Sequence, residues 1–185
     1  ETHAPIPGWD KPHVFTYEDI FDPDGFDFSK LGNKVLVADL MCDRIPIRTV
    51  EALLSEGKEV QFITMEPEPS ATFLGLTAEI GSAMPALVRA GEGRWGPKNV
   101  LVQTWIAEIT DKGAKLFYGF DEDNPWEEEF DSIVLVPTRR QNKSLYLNLK
   151  EKGYKPHLIG DAMSPRWLMY ATHDGYRTAT KINQQ

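Results

Sequence analysis

The spacing of apolar residues predicts a strand-helix-strand unit beginning at residue 34. Residues 35–40 and 60–64 are short runs rich in Val, Leu and Ile, which is the composition of buried strands. Between them, residues 49–56 have a helical period that ends at Gly57. Since two buried strands joined by a helix usually run parallel, we expect the start of a parallel sheet.

A second helix is predicted after the second strand. Residues 77–90 carry apolar side chains at helical spacing, with Pro85 as a kink and Gly91 as a stop. Short strands then follow at 100–103, 105–109 and 114–118, and the last two are joined by a turn at Asp111-Lys112-Gly113. This part of the pattern is typical of an antiparallel meander.

The remaining elements return the chain to the parallel sheet. Residues 132–136 and 158–159 read as buried strands, and residues 145–152 as a short helix between them. The fold class predicted is therefore α/β: a three-layer FAD/NAD(P)-binding-like domain, in which a parallel sheet with helices is accompanied by an antiparallel β-meander. Residues 1–30 show only turn signals, and we expect them to form a connector.

The last stretch carries the first candidate chemistry. Gly160 and Asp161 form a turn, after which Ser164 suits a helix cap, Pro165 suits the first helical position, and apolar residues through 182 predict one buried face. A helix start beyond a strand favours a phosphate, and Asp161 could accept hydrogen bonds from ligand hydroxyls. The alternative is that Gly160 only makes the turn and Asp161 only caps the helix.

Charge and composition exclude several classes of partner and ligand for this chain. The net charge of −8 over 185 residues argues against nucleic acid or an anionic membrane as the main partner. No apolar run is long enough to cross a bilayer, and the first residues lack the order of a secretion signal, so we expect a cytoplasmic protein. Cys42 is the only cysteine and cannot by itself hold a structural zinc or an iron-sulfur cluster.

The turn after the first strand argues against a pyridine nucleotide. A dinucleotide site needs glycines there, because side chains hold the backbone away from the pyrophosphate, and residues 41–48 contain none. Arg44 or Arg48 could meet a phosphate, although solvated arginines are the more ordinary interpretation. We therefore do not expect NAD or NADP to bind.

Several segments together resemble a known family. The chain is similar to the C-terminal region of the iron-sulfur flavoproteins related to old yellow enzyme, of the trimethylamine dehydrogenase and 2,4-dienoyl-CoA reductase type. The matching pieces are residues 6–8, 14–19, 34–39, 59–64 and 130–139, then Ile159-Gly160-Asp161-Ala162, Pro165-Arg166 and Asp174-Gly175-Tyr176-Arg177. The last thirty residues are the most specific part of this resemblance.

The resemblance implies that the chain contains parts of two nucleotide-binding-like domains. Residues 31–146 would be the NAD(P)-binding-like domain, and residues 147–185 would return to complete an FAD- or ADP-binding-like domain. It implies a cofactor-binding role for five residues: Gly160, Asp161, Ala162, Arg139 and Arg166. The FAD or ADP would be shared with a partner chain.

The elements that the family needs for catalysis have no counterpart in this sequence. The FMN barrel, the cysteines for a 4Fe-4S cluster and the glycine-rich loop are expected on a partner FMN-barrel flavoprotein chain, and an electron-transfer flavoprotein is a further implied partner. The chain would then be a non-catalytic subunit or C-terminal portion of an amine-dehydrogenase-like oxidoreductase, with no catalytic or metal-binding residue of its own.

Two other functions stay open. The chain could be the NADPH-binding part of a dienoyl-CoA-type enoate reductase, or a structural module whose nucleotide site has decayed, since Pro137-Thr138 stands where the family usually has a glycine. The acidic residues 121–129 could dock a basic partner around Trp126, although a solvated loop is the more ordinary interpretation. The four histidines show no metal-ligand spacing. Ser164 and His173 would lie about 13 Å apart on one helix, too far for hydrolase chemistry.

Overall fold

The computed structural model describes residues 6–69 and 99–182. These residues form two compact units, one of residues 6–69 and 99–138 and one of residues 139–182. The helix predicted over residues 77–90 lies outside the described residues. No helix in the described part has the length and apolar character needed to span a bilayer.

The described strands of the first unit are, in chain order, β1 (Val14–Thr16), β2 (Lys34–Asp39), β3 (Glu59–Thr64), β4 (Val100–Leu101), β5 (Thr104–Ile109), β6 (Gly113–Tyr118), β7 (Asp121–Glu129) and β8 (Ser132–Val136). Its described helices are α1 (Tyr17–Ile20) and α2 (Ile45–Ser55), with a 3-10 turn at Phe28–Lys30. The second unit contains α3 (Ser144–Glu151), a 3-10 turn at Gly160–Ala162 and α4 (Leu168–Ile182).

Five strands form a parallel sheet in the order β1-β8-β2-β3-β4. The central strands are almost uninterrupted apolar runs because both of their faces are covered. Val35 and Val37 face a core shared with α2, whereas Leu36 and Ala38 face a core shared with the meander. The predicted three-layer arrangement of helix, parallel sheet and meander is confirmed.

Strands β5, β6 and β7 form the antiparallel meander in that order. The predicted turn at residues 111–113 is confirmed, since the Thr110 N–H donates to the Gly113 carbonyl across 2.9 Å. A Cβ at Gly113 would lie 2.0 Å from the Glu128 carbonyl oxygen, so a glycine is needed where β6 and β7 approach each other.

The prediction that residues 121–129 form a solvated loop is wrong, because they form strand β7. The register pairs Leu116 with Trp126 and Lys115 with Glu127, which supplies the backbone hydrogen bonds that a loop would lack. Charge density indicates solvent exposure, and eight of the nine side chains are indeed exposed. It carries little information on whether an exposed backbone pairs with a neighbouring strand.

The predicted connector contributes to the core. Val14–Thr16 pairs with β8, and Ile6 and Ile20 are both buried. Three strand residues are too few to show a period of two, so the sequence pattern did not reveal β1. Thr16 also caps α1, because its hydroxyl accepts from the Asp19 N–H while the Asp19 carboxylate accepts from the Thr16 N–H.

The second unit differs from its prediction in three respects. Residues 158–159 form no strand, and α4 begins at Leu168 rather than at Ser164. None of the described residues 139–182 is buried, so the predicted buried face of α4 is absent. The helix predicted over residues 145–152 is confirmed as α3.

We predict that the α2 side of the core tolerates truncation poorly. Leu53 is fully buried, and its neighbour Leu54 is only partly buried. Leu53→Ala should lower the free energy of unfolding by roughly 2 to 5 kcal/mol, because a cavity is left in a packed layer. Leu54→Ala is the matched control and should cost about half as much or less. Urea denaturation of both variants measures the difference, and equal losses would contradict the assigned facing of α2.

Candidate functional site

The Gly160–Ala162 turn brings together three of the five predicted cofactor-binding residues. Gly160 has a φ of +59°, a left-handed conformation that favours glycine. Its carbonyl oxygen accepts hydrogen bonds from the N–H groups of Met163 and Ser164, at 2.9 and 3.0 Å. A Cβ on residue 160 would meet the Ala171 Cβ at 3.4 Å, so the turn lies against α4.

Arg166 joins the turn to α4. Its N–H donates to Asp161 Oδ1 across 3.3 Å, and its guanidinium donates to Asp174 Oδ2 across 2.6 Å. The same guanidinium lies 5.1 Å from the centre of the Tyr170 ring. The positive charge of Arg166 is therefore already balanced by a carboxylate, which reduces what it can offer a phosphate.

The turn retains one free acceptor for a ligand. Asp161 is exposed, and its Oδ2 has no hydrogen-bond partner among the described residues. The neighbouring N–H groups of Met163, Ser164 and Arg166 are all used within the turn. The geometry therefore suits a hydroxyl donor, such as a ribose, better than a phosphate.

The predicted start of the last helix is wrong, and a phosphate site beside it stays a prediction. Ser164 does not cap α4, which begins four residues later at Leu168. Arg139 is exposed and makes no hydrogen bond or ion pair with any described residue, so no such contact ties it to the turn. The cofactor-binding roles of Arg139 and Arg166, like those of the turn residues, stay predictions.

A second candidate site lies where β2 and β3 end, which is the edge at which parallel sheets bind ligands. Asp39, the last residue of β2, is only 1% exposed. Its Oδ1 accepts the N–H groups of Met41 and Cys42 at 3.1 and 2.7 Å, and its Oδ2 accepts the Thr64 hydroxyl at 3.2 Å. The carboxylate thus occupies the position in which successive backbone N–H groups could hold an anion.

The start of α2 is closed in the same way. The Ile45 N–H donates to Asp43 Oδ1 across 2.7 Å, and Pro46 has no N–H to offer. The donors that would hold a pyrophosphate are therefore bonded to this chain's own carboxylates, which would also repel one. These contacts occupy three backbone donors of the loop, and the expectation that NAD and NADP do not bind stays a prediction.

Burial shapes the chemistry of this loop. Burial raises the pKa of Asp39 to about 6, against the lowering effect of its three hydrogen bonds. Burial, together with the nearby charge of Asp39, raises the pKa of the Cys42 thiol to about 12. A thiol that stays protonated at neutral pH is a poor nucleophile.

The sequence analysis missed Asp39 as a structural anchor. A carboxylate at the last position of a buried strand, followed within three residues by a turn, is the signal that would have found it. The absence of glycine in residues 41–48 predicts that the loop lacks an open phosphate site, but it does not predict which group occupies the backbone donors.

Two open clefts lie near the amino-terminal ends of the parallel strands. Their volumes are about 630 and 510 Å³, and Lys34 lines both. Lys34 is already paired with Glu128 at 3.1 Å and lies 4.8 Å from the centre of the Phe130 ring. Nucleotides bind at the opposite end of such sheets, so neither cleft suits a nucleotide.

Metal binding has no support in the described residues. No group of three or more His, Cys, Asp or Glu side chains in that part of the chain is placed to hold a metal ion. With Cys42 as its only cysteine, the chain also cannot supply the thiolates for a 4Fe-4S cluster by itself.

Comparison with known proteins gives one consistent picture. No family model matches the chain. Dimethylamine dehydrogenase from Hyphomicrobium sp. (strain x) is 28% identical over 209 residues, which cover 98% of this chain and 27% of that protein. The chain thus spans about a quarter of the length of that relative.

Two solved structures agree with that match. The 6-hydroxypseudooxynicotine amine oxidase HisD from Pseudomonas geniculata N1 is 28% identical, with a TM-score of 0.78 over 94% of this chain and 25% of that one. Histamine dehydrogenase from Rhizobium sp. 4-9 shares the fold, at 20% identity and a TM-score of 0.78 over 95% of this chain and 27% of that one. The predicted resemblance to flavoproteins of the trimethylamine dehydrogenase type is confirmed.

We predict that the buried Asp39 carboxylate makes stability depend on pH. Its pKa in the folded protein, about 6, lies above the unfolded value near 3.8, so the folded state binds more protons between these values. The free energy of unfolding should fall as pH rises from 4 through 6, by roughly 2 to 3 kcal/mol from this group.

Asp39→Asn should remove that fall, because the amide keeps the shape and the acceptor oxygen but does not ionise. Urea denaturation of both proteins at pH 4, 5, 6 and 7 measures it. An equal pH dependence in the two proteins would show that Asp39 is not the titrating group.

Proposed function

We propose that this chain is the nucleotide-binding portion of a flavin-dependent oxidoreductase of the amine-dehydrogenase type, where it completes an ADP- or FAD-binding domain. The observation that carries the proposal is the 28% identity with dimethylamine dehydrogenase along 98% of this chain. Because the match covers 27% of that relative, the activity of the whole protein would require residues outside this chain.

The exposure of the second unit supports the completing role. Large apolar side chains on α3 and α4 remain open to solvent, with Leu145 at 70%, Leu168 at 79% and Tyr176 at 70% exposure. A segment of this length without a buried residue has no core to offset its conformational entropy. We infer that another folded part of the oxidoreductase covers these side chains.

The Gly160–Ala162 turn would form one wall of the nucleotide site. The Oδ2 of Asp161, which has no partner among the described residues, would accept a ribose hydroxyl, and Gly160 and Ala162 would form the turn that presents it. Arg166 would hold the turn against α4 through Asp174, while Arg139 is free to reach a phosphate from elsewhere. If FAD binds there it supplies electron-transfer chemistry, whereas ADP would act only as a structural ligand.

We assign the catalytic chemistry to residues outside this chain. One cysteine cannot supply the four thiolates of an iron-sulfur cluster, so the FMN barrel and the 4Fe-4S cluster would belong to a partner chain or to another portion of the same protein. This chain then contributes no catalytic residue. An electron-transfer flavoprotein would be a further partner.

One alternative has an observation in its favour. The pairing of Arg166 with Asp174 and the bulky Pro137-Thr138 are what a decayed nucleotide site would show, which favours a structural or interaction module. The NADPH-binding part of a dienoyl-CoA-type reductase is opposed by the carboxylates that fill the β2–α2 loop.

We predict that ADP or FAD stabilises the intact protein through Asp161. A ligand at a hundred times its dissociation constant should add about 2.7 kcal/mol, which appears as a rise in the melting temperature. Asp161→Ala should weaken binding about tenfold or more, because a buried hydroxyl of the ligand would lose its acceptor. Asp24→Ala is the control, since it removes an exposed carboxylate from the first unit.

The pattern of melting shifts distinguishes the alternatives. A shift with ADP or FAD that Asp161→Ala abolishes supports the proposed site. The absence of any shift in the intact protein would favour the decayed module. Calorimetric binding of NADH or NADPH would instead favour the reductase and would contradict the closed β2–α2 loop.

A further inference from the structure

Two pairs of aromatic side chains lie at the end of the meander where β6 turns into β7, and we call this region the aromatic hairpin end. It consists of Trp105, Phe117, Tyr118 and Phe120. The Trp105 and Phe117 rings have centroids 5.6 Å apart, and those of Tyr118 and Phe120 are 5.7 Å apart. Phe120 is 81% exposed, while Trp105 and Tyr118 are each more than 40% exposed. Such a concentration of exposed rings is unusual away from binding surfaces.

The aromatic hairpin end is held in place by the backbone beneath it. The Tyr118 hydroxyl donates to Gln103 Oε1 across 2.7 Å, and the Gly119 N–H donates to the Gln103 carbonyl across 2.8 Å. A Cβ on Gly119 would lie 3.3 Å from the Trp105 indole nitrogen, so the ring packs directly over the turn. A partner would therefore meet a surface that needs little ordering on binding.

Uncompensated negative charge adjoins these rings. Phe120 is followed by Asp121, Glu122 and Asp123, all exposed and without a lysine or arginine partner among the described residues. Further along β7, the carboxylate of Glu128 does have a cationic partner, because it pairs with Lys34. The negative charge beside the rings thus has no cation in the described part of this chain.

The exposed edge of β7 is poorly suited to pairing with a strand of another molecule. β7 pairs only with β6 in the described sheet, and six of its nine residues are acidic. Pro125 removes one edge donor, and the carboxylates repel an identical strand. These features block edge pairing, and with a net charge of −8 they disfavour a second copy of this chain. They leave a positively charged partner as the complementary occupant.

We propose that the aromatic hairpin end, together with Asp121, Glu122 and Asp123, is a docking surface for a basic segment of a partner protein. Arginine and lysine side chains of that segment stack their stems and cations on the rings and pair with the three carboxylates. An aromatic centre beside a charged rim is the usual composition of an interface hot spot. This docking surface is independent of nucleotide binding.

The test uses the intact protein and a short peptide of alternating arginine and leucine as the probe, titrated by calorimetry at physiological salt. The triple variant Phe120→Ser, Asp121→Asn, Asp123→Asn should bind the peptide about tenfold more weakly. The matched control is Phe21→Ser, Asp22→Asn, Asp24→Asn, which also removes one exposed phenylalanine and two carboxylates. It should change the affinity less than about twofold.

Phe120→Ser alone keeps every carboxylate of β7 and provides a variant with a smaller structural change. It should also weaken peptide binding, and its melting temperature should match that of the unaltered protein. Equal losses in both triple variants would mean that the peptide senses only net charge and would overturn the proposal. Failure of the unaltered protein to bind would overturn it as well, since another part of the protein would then cover the rings.

Discussion

The first unit depends on burying both faces of strands β8, β2 and β3 at once. A sheet covered on both sides needs apolar residues at every position, and a side chain on one face can serve only the layer on that face. Alternate residues of β2 therefore divide between the helix α2 and the meander. The three layers follow from this constraint, because a helix layer covers one face of the sheet and the meander covers the other.

The same constraint buries the end of β2, where the Asp39 carboxylate is only 1% exposed. Its carboxylate takes backbone donors that a dinucleotide loop would leave for a phosphate. A buried acid costs free energy when ionised, and three hydrogen bonds offset part of that cost. The FAD/NAD(P)-binding-like fold is thus present, while the loop after its first long strand uses its backbone donors within the chain.

The second unit lacks this two-sided burial, which agrees with the role proposed for it. Its turn at Gly160 and its ion pair between Arg166 and Asp174 are local interactions that need no core. Similar proteins carry this region within chains about four times longer. A segment organised by local contacts but without a core is what one expects of a piece that completes a domain built elsewhere.

The sequence by itself determined β2, α2, β3 and β8 of the parallel core, the turn at residues 111–113 and the resemblance to amine-dehydrogenase-type flavoproteins. These features depend on hydrophobic periodicity, turn chemistry and motifs, which are local and can be read along the chain. The predictions from sequence are wrong or incomplete where strand pairing or burial depends on residues far away in the chain. β1 and β7 exist because β8 and β6 lie beside them, and residues 158–159 form no strand because none of the described strands pairs with them. Only the tertiary structure revealed that the Asp39 carboxylate fills its own loop, because that depends on where backbone N–H groups point once the strand ends are packed.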